Sequence, residues 1–66
     1  NDGAMTLASV ADFQVYGSLT NEAAGTIAVG DFLIVGGNGT VTNQGSITAG
    51  RCSLSGTVTG NAVGCP

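Results

Sequence analysis

A hydroxyl residue followed by an apolar one recurs at a fixed interval. Thr6-Leu7, Thr26-Ile27 and Ser46-Ile47 stand 20 residues apart, and Phe13, Phe32 and Cys52 follow at intervals of 19 and 20. A second phrase, G-S-L-T-N, G-T-V-T-N and G-T-V-T-G, begins at Gly17, Gly39 and Gly56, at intervals of 22 and 17. The insertion Gly36-Gly37-Asn38 and the short link at Asn43-Gln44 largely cancel. The 66-residue chain therefore reads as one domain, 1–66, of three imperfect repeats at approximately 6–25, 26–45 and 46–66. A unit this short cannot bury its apolar face alone and must stack on its neighbours, which is the logic of a solenoid.

The unit is built for strands. Short alternating runs such as Thr26-Ile27-Ala28-Val29 and Thr40-Val41-Thr42 are punctuated by Gly or Asn, and Gly contributes 12 residues. The sole helix candidate, Ala4 to Ala11, lacks an apolar face of helical period. The expected fold is all-β: a short β-solenoid of about three coils of about 20 residues. In it Leu7, Ile27 and Ile47 stack inside, as do Leu19, Val41 and Val58, and Val15, Ile34 and Leu54. Phe13 and Phe32 share a corner column that Cys52 ends. The alternative is a small antiparallel β-sandwich or jelly roll, with Gly36-Gly37-Asn38-Gly39 as a hairpin turn.

A chain of this length buries a thin core and needs a staple or a partner. It has two cysteines and no histidine, which removes the usual Cys/His zinc site. Cys52 and Cys65 read as one disulfide, implying an oxidising compartment, the alternative being two reduced thiols. The chain begins at Asn1 rather than Met, which fits a leader removed during secretion. A secreted, extracellular or cell-surface location is expected. No segment reads as a membrane span.

Charge is sparse: one Arg, no Lys and four acids give a net −3. One cation cannot neutralise a run of phosphates, so nucleic acid is not an expected partner. With no His, no Lys and no Cys/His pair, the means of general base and nucleophilic chemistry are missing, and the chain is read as no enzyme. Asp12 and Asp31 fall at one repeat position with Arg51 as its third member. Two carboxylates are too few for the 6–8 oxygens that calcium takes, so no metal or cofactor is expected. A surface ion pair between Asp31 and Arg51 is. Because Asp12 begins this column and Arg51 ends it, stacked copies would bring the two together.

The phrases G-T-V-T-N-Q-G-S-I-T-A-G and G-S-L-T-N-E-A-A-G-T-I-A-V-G resemble the repeats of filamentous-haemagglutinin-type bacterial surface β-helices. The resemblance covers most of residues 6 to 60 and implies a β-helix at a cell surface. Those proteins are long rods, whereas this chain is short and carries two Cys.

A three-coil stack has two open ends, and a surface poor in charge suits packing against copies of itself. The expected function is a non-enzymatic structural subunit that self-assembles into an extracellular filament or surface matrix, with copies of itself as partners. Candidate contacts between subunits are Asp12 and Arg51, Thr6, Leu7 and Val10 at one edge, and Thr57, Val58 and Val63 at the other. The alternative is a small binding module, an adhesin fragment or an ice-binding solenoid. For the latter, Ser18-x-Thr20, Thr40-x-Thr42 and Thr57-x-Thr59 look like the threonine ladders of insect antifreeze solenoids, although intervals of 22 and 17 are expected to break a flat array. Asn38-Gly39-Thr40 is an acceptor sequon for N-glycosylation, or simply a turn.

Overall fold

The structure, a computed structural model, describes residues 1–7 and 12–65. Those residues form seven strands and no helix: β1 (Ala4–Leu7), β2 (Asp12–Val15), β3 (Ser18–Asn21), β4 (Thr26–Val35), β5 (Thr40–Asn43), β6 (Ser46–Leu54) and β7 (Thr57–Gly60). The helix candidate falls to strand over Ala4–Leu7, and its remainder lies outside the described residues.

Every ladder between these strands is parallel. β4 is the spine of the first sheet. Its two halves pair with β1 and β2, and β6 pairs with it along both halves. The second sheet has the order β3-β5-β7. This overturns the antiparallel alternative. Gly39 N donates to Gly36 O at 2.8 Å, closing a turn as expected. The turn carries the chain from one sheet to the other, because Val35 pairs with Val15 and Leu54 whereas Thr40 pairs with Ser18 and Thr57. It is a corner between sheets and not a hairpin.

The registers set like residues over like. The inward columns are Met5–Ile27–Ile47, Leu7–Val29–Ala49, Phe13–Leu33–Cys52, Val15–Val35–Leu54 and Leu19–Val41–Val58. Period-2 alternation sends these side chains to one face and the Thr and Ser between them to the other. Val15, Ile27, Val29, Leu33, Val35, Val41, Ile47 and Ala49 form the buried core, and Ile27, Val35 and Val41 are fully enclosed.

Only the last of these columns matches the expected set in full. Leu7 lies beside Val29 rather than Ile27, and Thr6 beside Ala28 rather than Thr26. Leu33, not Phe32, shares the corner with Phe13 and Cys52, and Val35 replaces Ile34 beside Val15 and Leu54. The cause is physical. A slip of two residues preserves alternation, so matching the Thr-apolar pair placed β1 two positions off. The one-residue errors arise at Gly30 and Asp31, which together stand opposite Gly50 alone as a bulge in the ladder.

Truncating the centre of this core tests the columns. Ile27→Ala is expected to cost about 2–5 kcal/mol, as for other buried Ile truncations. Denaturant unfolding should show a large loss of midpoint, while Thr40→Ala on the exposed face should shift stability by less than about 0.5 kcal/mol.

Candidate functional site

The last residue of each S-L-T-N and T-V-T-N run turns inward. Leu19 and Val41 face the core, so alternation carries Asn21 and Asn43 to the same side, where both are fully buried. A buried amide needs partners, and these find each other. Asn1 Nδ2 donates to Asn21 Oδ1 at 3.2 Å, and Asn21 Nδ2 donates to Asn43 Oδ1 at 3.0 Å. Asn21 Nδ2 also reaches Gly25 O and Ser46 O, which ties this corner to the start of β4 and β6. Asn43 Oδ1 accepts from Gly45 N at 3.2 Å, an Asx-type turn. Gly25 is required here, since a Cβ would strike Asn1 O and Asn21 Oδ1.

The ladder ends on the next strand, β7. Gly60 takes the position over Asn43 with a φ of 84°, a conformation that favours glycine. The chain then turns so that Asn61 N donates to Asn43 O at 2.7 Å and Asn43 Nδ2 donates to Asn61 O at 3.2 Å. Asn61 Nδ2 donates to Gly45 O at 2.9 Å. Every buried side-chain polar atom among the described residues has a partner. The inward Asn column was a feature the sequence reading passed over, although alternation from Leu19 and Val41 carries its signal.

The two ends of the stack differ. At one end β1, β2 and β3 are outermost among the described residues, with Met5, Leu7, Phe13 and Leu19 only partly buried. At the other, β6 and β7 are outermost, with Cys52 and Val58 partly buried and Leu54 44% exposed. This second end is partly covered by the tail from Asn61 to Cys65. Gly64 bridges to Thr48, and Val63 packs on the core. Cys52 and Cys65 form a disulfide with 6.0 Å between their Cα atoms. In the chain-entropy account, such a cross-link contributes about 2–4 kcal/mol.

The charged residues lie on the surface. Arg51 Nη2 contacts Asp31 Oδ1 at 2.8 Å, and the Arg51 guanidinium lies 4.8 Å from the Phe32 ring centroid. Both partners are well exposed, so the ion pair is worth ~0–1 kcal/mol. Asp12 and Asp31 do not share a repeat position. The bulge makes Asp31 the extra residue, and the column runs Asp12–Phe32–Arg51. It still begins in an acid and ends in a base.

The remaining candidates fall as follows. Thr6 and Leu7 lie on β1, Thr57 and Val58 on β7, and Val63 in the tail; Val10 lies outside the described residues. Asn38 is exposed in the turn between β4 and β5. Ser18–Thr40–Thr57 and Thr20–Thr42–Thr59 form two files in strict register. The uneven intervals do not break this array, because the turns absorb the length differences. Among the described residues no pocket opens, no cluster could hold a metal, and no helix is long and apolar enough to cross a membrane. Compared with family models, curated proteins and solved structures, the chain finds no match.

The ladder predicts an unequal response to two Asn substitutions. Asn43→Ala removes an acceptor for two donors and a donor to Asn61 O. It should cost about 1–3 kcal/mol, the penalty of leaving buried polar groups unpaired. Asn38→Ala, in the exposed turn, should leave thermal stability nearly unchanged.

Proposed function

We propose that the chain is a non-enzymatic structural subunit that joins copies of itself end to end into an extracellular filament or surface matrix. Its three repeats are three turns of a β-solenoid. The parallel ladders support that reading, since each residue pairs with its counterpart about one repeat further on. The disulfide is compatible with secretion.

One observation carries the assembly reading: the columns start at one end of the stack, and those that end in Cys52, Leu54 and Val58 stop, incompletely buried, at the other. A second copy placed head to tail sets Phe13 over Cys52, Val15 over Leu54 and Leu19 over Val58. It also brings Asp12 of one copy to Arg51 of the next. Apolar columns and strand edges would then run on through the junction. Heterologous contacts whose rotation does not close into a ring produce open filaments.

Electron microscopy of the oxidised and the thiol-reduced protein tests this. The reading expects uniform filaments with a rise of about 4.8 Å per coil, or roughly 14–15 Å per three-coil subunit. A much larger rise contradicts stacked coils. Arg51→Glu should weaken assembly more than folding, because its internal ion pair is exposed while its junction contact would be enclosed. Equal loss of both counts against the junction.

The in-register Ser/Thr files favour a second reading, a binding module that presents a flat hydroxyl face. For an ice-binding module, the wild-type chain should inhibit ice recrystallisation and Thr42→Lys should abolish the effect. An inactive wild type removes the ice-binding form of this reading.

A further inference from the structure

The tail imitates a strand of the first coil. Gly64 N donates to Ile47 O at 2.8 Å, and Ala49 N donates to Gly64 O at 3.0 Å. This is the bond pair of a parallel bridge centred on Thr48 and Gly64. Thr48 is in register with Ala28, and Ala28 with Thr6. Gly64 therefore occupies, on the outer edge of β6, the place that Thr6 of an added copy would take if the Thr6–Ala28–Thr48 register ran on. Continuing the register by one residue each way sets Val63 opposite Ile47 and Cys65 opposite Ala49. Val63-Gly64-Cys65 thus stands where Met5-Thr6-Leu7 of an added coil would stand. The pattern matches as well, with a small residue between two partly buried ones whose flanking members face inward.

We propose that Val63-Gly64-Cys65 is a place-holder on the β6 edge, and that β1 of a second copy displaces it when subunits join. The proposal rests on the end-to-end assembly reading and adds the seat, the segment that fills it and the lock that guards it. The tail and an incoming β1 cannot share the edge. The tail makes one bridge, whereas β1 pairs over four residues on β4 and would do the same on β6. Exchange therefore gains ladder bonds and restores the run of the inner columns. The Cys52–Cys65 bond holds the tail in place. A dithiol that delivers two electrons and two protons opens it to two thiols, itself becoming a disulfide, and frees the tail to leave.

Elongation followed by light scattering and microscopy tests the proposal, with dithiothreitol as reductant. The reduced wild type should elongate at least about tenfold faster than the oxidised form, the factor that ~1.4 kcal/mol of released constraint gives. Gly64→Pro keeps the disulfide but removes the donor to Ile47 O. It should elongate faster than the wild type while still oxidised, so the test does not depend on a cysteine variant that fails to fold. In a Cys52→Ser/Cys65→Ser background, Thr6→Cys and Thr48→Cys should cross-link between chains within filaments. Filaments that grow equally fast in all forms, or that lack the cross-link, overturn the exchange and leave end-to-end assembly standing. No assembly in any form overturns both.

Discussion

The buried amides of Asn21 and Asn43 fix the register on which the rest of the structure depends. Apolar alternation alone would allow neighbouring strands to slip by two residues, because Val, Ile and Leu are nearly interchangeable partners. An amide is not. Sliding Asn43 by two positions would set it against a hydrocarbon neighbour and leave polar groups unpaired in a dry interior. The same side chains bond to Gly25 O, Ser46 O and Gly45 N. They therefore hold the corner where the chain leaves one sheet for the other as well as the ladder within a sheet. Among the described residues, a core of eight buried apolar residues, mostly branched aliphatics, gains its specificity from two polar ones.

Much of this was legible in the sequence. Strand content followed from Thr, Val, Ile and Gly in alternation, and the column Leu19–Val41–Val58 followed from the repeated S-L-T and T-V-T runs. The disulfide followed from two cysteines in a chain too small for its core. The registers near β1 and β2 were not legible, since a two-residue slip is invisible to alternation and the bulge at Gly30 and Asp31 shifts later positions by one. The Asn ladder was hidden for a different reason. Asn at the end of a strand run is an ordinary turn signal, and here it also serves as an inward residue. In the third copy Gly60 stands where the other two have Asn, and it is the point at which the ladder stops.

The unlike ends connect this architecture to the proposed role. In a stack of parallel strands one edge exposes the pattern of groups complementary to the other, so end-to-end joining, as proposed, would be directional. One end carries Asp12 and an uncovered row of strands among the described residues. The other end carries Arg51, Leu54 and a tail covalently tied across part of its edge. An end covered in this way resists uncontrolled pairing of strand edges, the hazard that any open sheet must manage. In the proposed assembly, with so little charge on the chain, control would fall to backbone geometry and to one covalent bond.

Hydrogen exchange of side-chain amides by NMR tests the central claim most directly. If buried amides pin the coils in parallel register, the Nδ2 protons of Asn21 and Asn43 should exchange as slowly as core backbone amides, with cross-peaks between the two side chains. Asn38, in its exposed turn, supplies the fast reference within the same molecule. Exchange of Asn21 and Asn43 at the rate of Asn38 would contradict the ladder and, with it, the register of the stack.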